Sequence, residues 1–118
     1  MNFESDIGQG PIQALFQKRS SITLNLIGFI SNPGCDERNP NSIKLWLDDL
    51  HYLIYQYSMC SIDFERELKV MGRWDDAHEF FDQRYEFLGE LELVRDQKVH
   101  LLCNSFQISI RMPDIKSV

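Results

Sequence analysis

The 118-residue chain has few cysteines and no long hydrophobic run. Its three cysteines, Cys35, Cys60 and Cys103, are odd in number, widely spaced and without a CxxC pair. This pattern argues against both a disulfide framework and a thiolate zinc site. The longest apolar runs reach about ten residues, half of what a membrane-spanning helix needs. Because the N-terminus also lacks the basic and apolar regions of a secretion signal, we expect a cytoplasmic protein.

Sequence motifs for catalysis are equally scarce. There is no GxSxG, no Walker loop and no GxGxxG, and the three histidines stand outside any HxxxH or HExxH spacing. One acid–histidine group is present, formed by Asp48, Asp49 and His51. It supports only an alternative hypothesis, a small metal-dependent enzyme that uses these three residues. The main expectation is a protein without catalytic activity, cofactor or metal.

Negative charge is concentrated in one quarter of the chain. The net charge is −6, and the segment from Asp63 to Glu92 holds ten acidic and four basic residues, whereas the rest of the chain is balanced. A field of this sign repels nucleic acid and attracts cationic partners. We therefore expect a protein partner and no direct binding to nucleic acid or membrane.

The pattern of apolar residues predicts one domain over residues 1–118, with a flexible N-terminus at 1–9. Helices are predicted at 10–20, at 41–58 and from Asp76 to Leu88, with Gly89 ending the last of them. Strands are predicted at 21–30, 61–72, 90–94, 99–103 and 106–112, although a helix is also compatible with the stretch FERELKVM. The predicted fold is α+β, a two-layer sandwich with a mainly antiparallel sheet and helices on one face.

The helix predicted from Asp76 separates its acidic residues from its apolar ones. Four carboxylates fall on one narrow stripe at about 100° per residue, and no lysine or arginine lies among them: Asp75, Glu79, Asp82 and Glu86. Phe80, Phe81 and Leu88 fall on the opposite side, together with Arg84, for which we expect a structural ion pair. A convex stripe cannot converge on a metal ion. It is either a solvated surface or a docking surface for a basic partner.

The helix predicted at 41–58 carries a second polar face, with Leu45, Asp48, Tyr52 and Tyr55 opposite its apolar stripe. Tyrosine is favoured in protein interfaces because it adds a large contact area at a small entropic cost. Aromatic and acidic side chains together suit docking onto a basic protein. The alternative is that the tyrosines pack beneath the N-terminal helix or the loop from Ser31 to Asn41.

The chain resembles the immunity proteins of bacterial polymorphic toxins, including those of contact-dependent growth inhibition systems. The resemblance lies in the acidic segment from Asp63 to Glu92 and in the aspartate and tyrosine residues between Asp48 and Tyr55. The resemblance implies a small inhibitor that neutralises a cognate toxin, commonly a nuclease with a basic cleft, by covering its substrate-binding surface. The expected partner-binding residues are Asp75, Glu79, Asp82, Glu86, Asp48, Tyr52 and Tyr55. A non-catalytic adaptor subunit of a larger assembly is the other alternative.

Overall fold

The structure, a computed structural model, describes residues 10–31, 34–107, 109–110 and 114–115. Over these residues it contains three α-helices and no β-strand. Helix α1 spans Pro11–Ser31, α2 spans Pro40–Val70 and α3 spans Trp74–Phe106. The predicted α+β sandwich is therefore wrong, and the fold is all-helical.

Local sequence signals set the ends of α2 and α3. Asn39 caps α2, since its side chain accepts a hydrogen bond of 3.0 Å from the backbone N–H of Asn41, and Pro40 follows in the first turn. Between α2 and α3 the chain reverses in three residues, with Gly72 at φ +78° in the left-handed region. At the start of α3, Arg73 forms an ion pair of 2.7 Å with Asp76.

The three helices form an elongated bundle in which α2 packs along both α1 and α3. Its dimensions are 51 × 23 × 20 Å. Successive helices run in opposite directions because the connections are short. The start of α1 therefore lies beside the end of α2 and the start of α3, where Phe16, Phe64 and Phe80 pack ring against ring with centroids 4.9 to 6.2 Å apart.

The core is divided into two apolar clusters. The smaller one surrounds Phe64, Leu68 and Phe80 near the α2–α3 turn. The larger one fills the opposite half, and its fully buried members include Leu26, Ile43, Leu50, Leu88, Leu91 and Leu102. Burying a leucine of this kind contributes about 1.5 to 3 kcal/mol, so these two clusters provide the main driving force for folding.

A buried polar layer separates the two clusters. Arg84 of α3 donates to both carboxylate oxygens of Glu65 on α2, at 2.8 and 3.1 Å. Arg19 of α1 donates to the Ser61 hydroxyl and the Tyr57 hydroxyl, both at 3.1 Å. The ion pair expected for Arg84 is thus confirmed. Sliding any helix by one turn would separate a buried guanidinium from its hydrogen-bond partners, so the layer favours a single alignment of the three helices.

The sheet prediction fails element by element over the described residues. The segments 21–30, 61–70, 90–94 and 99–103 are helical, and at 106–112 the described residues form the end of α3 and irregular backbone. Helix α3 also continues through Gly89, since tertiary packing outweighs the glycine cost of about 1 kcal/mol. The prediction of flexibility at 1–9 lies outside the described residues, as do residues 108, 111 and 112 of the last predicted strand.

Candidate docking surface

The four carboxylates of the predicted stripe lie along the outer side of α3. Asp75, Glu79, Asp82 and Glu86 are all exposed, and they extend over roughly 16 Å of helix at 1.5 Å per residue. Within the part of the chain that the structure describes, none of them forms an ion pair. The structure therefore presents a continuous row of uncompensated negative charge. Its role in binding stays a prediction.

The row points outward because the opposite side of α3 is committed to the core. Ala77, Phe80 and Leu88 are buried there, and Arg84 lies among them in its ion pair with Glu65. The inward position predicted for Phe81 is wrong, since this side chain is 45% exposed. Its ring packs against the Arg84 guanidinium at 5.1 Å, which places it at the edge of the buried face.

Exposed rings accompany the acidic row. Trp74 is 62% exposed and Tyr85 51% exposed, and His78 and Phe81 complete the set on the same helix. Sequence reasoning missed Trp74 and Tyr85 as candidate site residues. A signal was nevertheless present, because the four rings repeat with the same i, i+4, i+7, i+11 spacing as the four carboxylates, one position earlier in the chain.

A shallow hollow of about 560 Å³ adjoins the C-terminal end of this row. It is lined by Tyr85, Glu86, Gly89, Glu90, Glu92 and Leu93. The lining includes the exposed carboxylates of Glu86 and Glu90 beside the Tyr85 ring. The hollow is therefore suited to a side chain that carries several hydrogen-bond donors.

The outer face of α2 forms the second predicted surface. Asp48 is exposed, and Tyr52 and Tyr55 are each more than half exposed, with Leu45 and Met59 beside them. The alternative in which these tyrosines pack beneath α1 or the following loop is therefore wrong. Gln56 donates a hydrogen bond of 3.0 Å to the Tyr52 hydroxyl, which restricts the orientation of that ring.

The acid–histidine group on α2 is divided between the surface and the interior. Asp48 and Asp49 are exposed, whereas His51 is half-buried. Burial lowers the pKa of His51 below its usual 6.5, the Arg95 guanidinium lowers it further, and Asp48 opposes both effects. Across the described residues, no group of three or more histidine, cysteine or acidic side chains could hold a metal ion.

The cysteines are free thiols in different surroundings. Cys60 is buried, and burial raises the pKa of its thiol; the Sγ atom donates to the backbone oxygen of Leu15 at 3.6 Å. Cys35 and Cys103 are half-buried. None of the three cysteines belongs to the acidic row, the adjoining hollow or the outer face of α2.

None of the described helices has both the length and the apolar character needed to cross a bilayer. Comparisons with family models, with curated proteins and with solved structures return no match for this chain. The function must therefore be argued from the surface chemistry alone.

Proposed function

We propose that this protein is a small acidic inhibitor that docks onto a basic surface of a partner protein, a bacterial nuclease toxin, and covers its substrate-binding site. The observation that carries the proposal is the row of four exposed carboxylates on α3, none of them paired within the described residues. Like charges at these spacings repel by a few tenths of a kcal/mol per pair. A docked cationic surface would offset that cost.

The inhibitory mechanism follows from the chemistry of nuclease surfaces. Lysine and arginine side chains hold the phosphates of the substrate. Carboxylates presented in a row can pair with the same side chains, and the bulk of a bundle more than 20 Å wide then blocks entry of the nucleic acid. Complementary charge also accelerates association at low salt.

The outer face of α2 supplies the second contact in this proposal. Tyr52 and Tyr55 offer exposed aromatic area beside the carboxylate of Asp48. Aromatic anchors that become buried in an interface chiefly slow dissociation. Under this proposal, the α3 row governs the rate of association and the α2 tyrosines govern the lifetime of the complex.

The proposal is tested with the partner that copurifies from the source cell. Its dissociation constant is measured for the wild type and for a variant with Asp82→Asn and Glu86→Gln, which removes two charges without changing side-chain size. The matched control combines Asp63→Asn with Glu67→Gln near the C-terminal end of α2, outside both proposed contacts. We expect the α3 variant to bind at least about tenfold more weakly and to lose protection of the substrate, because charge pairs at an interface are worth more than 1.4 kcal/mol when desolvated.

Ionic strength separates this proposal from the adaptor alternative. Raising the salt from about 0.05 M to about 0.5 M shortens the range of exposed charges to a few ångströms. An electrostatic inhibitor should lose most of its association rate over this range. Equal affinity of the α3 variant and the control, together with binding that is indifferent to salt, would favour an adaptor subunit with a merely solvated acidic surface.

A further inference from the structure

The rings and carboxylates of α3 form two parallel ridges. Trp74, His78, Phe81 and Tyr85 make the first ridge, and Asp75, Glu79, Asp82 and Glu86 make the second, each carboxylate following a ring in the sequence. All eight side chains are exposed. Because both ridges have the same spacing, they run side by side over three turns, about 100° apart around the helix. We call this eight-residue surface the ring–acid ladder.

Rings and carboxylates meet along the seam between the two ridges. Residues three or four positions apart are neighbours on a helix surface. Asp82 therefore lies one turn from both His78 and Tyr85, and His78 lies one turn from Asp75. The His78 and Phe81 rings are themselves stacked, with centroids 6.5 Å apart. A side chain laid in this seam would meet an aromatic ring on one side and a carboxylate on the other.

The same combination already holds an arginine inside this protein. The guanidinium of Arg84 pairs with both oxygens of Glu65 and packs over the Phe81 ring at 5.1 Å. Two oxygens satisfy the planar fork of a guanidinium, and the ring stacks on its flat side, whereas an ammonium group offers only a point charge. On the protein surface, the ladder repeats the combination of a carboxylate and an aromatic ring that holds Arg84 in the core.

Trp74 shows that a ring of the ladder accepts a cation. The Lys69 Nζ atom lies 5.6 Å from the centroid of the Trp74 ring, which nevertheless stays 62% exposed. At the other end, the hollow beside Tyr85 is lined by the exposed carboxylates of Glu86 and Glu90. A guanidinium carries five N–H donors, enough to bond to two carboxylates at once.

We propose that the ring–acid ladder binds an arginine-bearing segment of the partner protein and prefers arginine to lysine. The inference rests on the proposed function and deepens it, since general acidity would attract either residue. The arginines of the partner would lie in the seam at the spacing of the ladder, and one would enter the hollow beside Tyr85. The ladder would then distinguish a guanidinium-rich surface from a lysine-rich surface of equal charge.

The test uses the full-length protein and three helical peptides that carry arginine, lysine or glutamine at four positions with the i, i+4, i+7, i+11 spacing. Binding is measured by fluorescence anisotropy of the labelled peptides. We expect the arginine peptide to bind about tenfold more tightly than the lysine peptide, since each exposed ring contributes a factor of a few. The glutamine peptide should not bind.

Two variants and a control assign the preference to the ladder. Trp74→Ala with Tyr85→Ala should reduce the affinity for the arginine peptide to that for the lysine peptide. Asp75→Asn with Asp82→Asn should weaken both peptides alike. The control, Leu24→Ala with Ile27→Ala, removes two exposed apolar side chains from α1, outside both proposed contacts, and should leave the preference unchanged. Circular dichroism checks that each variant keeps its helical content.

Each outcome decides between the two proposals. Equal affinity of the wild type for the arginine and lysine peptides overturns the inference and leaves the electrostatic function standing. Binding of neither peptide overturns both. A preference for arginine that survives the loss of Trp74 and Tyr85, or that is lost in the α1 control, shows that the ladder is not its source and also overturns the inference.

Discussion

The buried ion pair between Arg84 and Glu65 gives the sharpest prediction about stability. The two side chains are only 10% and 8% exposed, and two hydrogen bonds of 2.8 and 3.1 Å join them. Glu65→Gln keeps the size of the side chain but leaves the guanidinium without a compensating charge. We expect the free energy of unfolding to fall by about 3 to 5 kcal/mol, the usual cost of breaking a buried pair from one side.

Urea denaturation followed by circular dichroism measures this effect. With a slope of about 2 kcal/mol per molar urea, the midpoint should fall by roughly 2 M. Glu65→Leu combined with Arg84→Met removes both charges and should recover most of the loss. The exposed pair of Arg66 and Asp63 is the control, since Asp63→Asn should cost less than about 1 kcal/mol. A Glu65→Gln protein that unfolds within 1 kcal/mol of the wild type would refute the role assigned to the polar layer.

Three further predictions follow from single residues. Burial and Arg95 lower the pKa of His51, so the unfolded chain binds more protons than the folded one as the pH falls below about 6.5. Stability should therefore decrease with acidity in this range, and His51→Gln should flatten the decrease in thermal melts between pH 5 and 7.5. Cys60 should react with iodoacetamide far more slowly in the folded protein than in urea, since burial raises the pKa of its thiol. If mass spectrometry finds the same reaction rate in both states, the thiol of Cys60 is not buried. Gly72→Ala should destabilise the protein by about 1 to 2 kcal/mol, because Gly72 has φ +78° and a Cβ is disfavoured there; an unchanged urea midpoint would contradict this.

The sequence was informative where the helical period was strong. The outward row from Asp75 to Glu86, the outer face of α2 and the ion pair of Arg84 all follow from a spacing of about 100° per residue. Trp74 and Tyr85 were missed because the surface of α3 was predicted from its charges alone. The spacing of the rings relative to the carboxylates is nevertheless present in the sequence.

The predicted sheet failed because short apolar stretches are ambiguous. The segment 21–30 is rich in β-branched residues and apolar on both alternating faces, which is typical of a buried strand. The same segment forms a helix in the structure, with Leu26 buried and Leu24 exposed. The segment 61–70 alternates, but Phe64 and Leu68 are also four residues apart, and both are fully buried. Packing against neighbouring helices decides such cases, and single-chain propensity cannot represent it.

The candidate site could be predicted only in part for a related reason. Exposure of a charged row follows from the periodicity, whereas the hollow beside Tyr85 depends on side-chain positions around the uninterrupted helix. Because the helix was predicted to end at Gly89, the following residues Glu90, Glu92 and Leu93 were assigned to a strand. They were therefore not considered part of the site. The error in one helix boundary therefore concealed one end of the surface.

The acidic face of α3 is proposed to bind a basic protein. This proposal is tested most directly by a comparative capture from the source cell, with the wild type, the Asp82→Asn and Glu86→Gln variant, and the Asp63→Asn and Glu67→Gln control as baits, followed by mass spectrometry. We expect the wild type and the control to retain a protein with a basic surface that the α3 variant loses. Retention of the same protein in equal amounts by all three baits would contradict it.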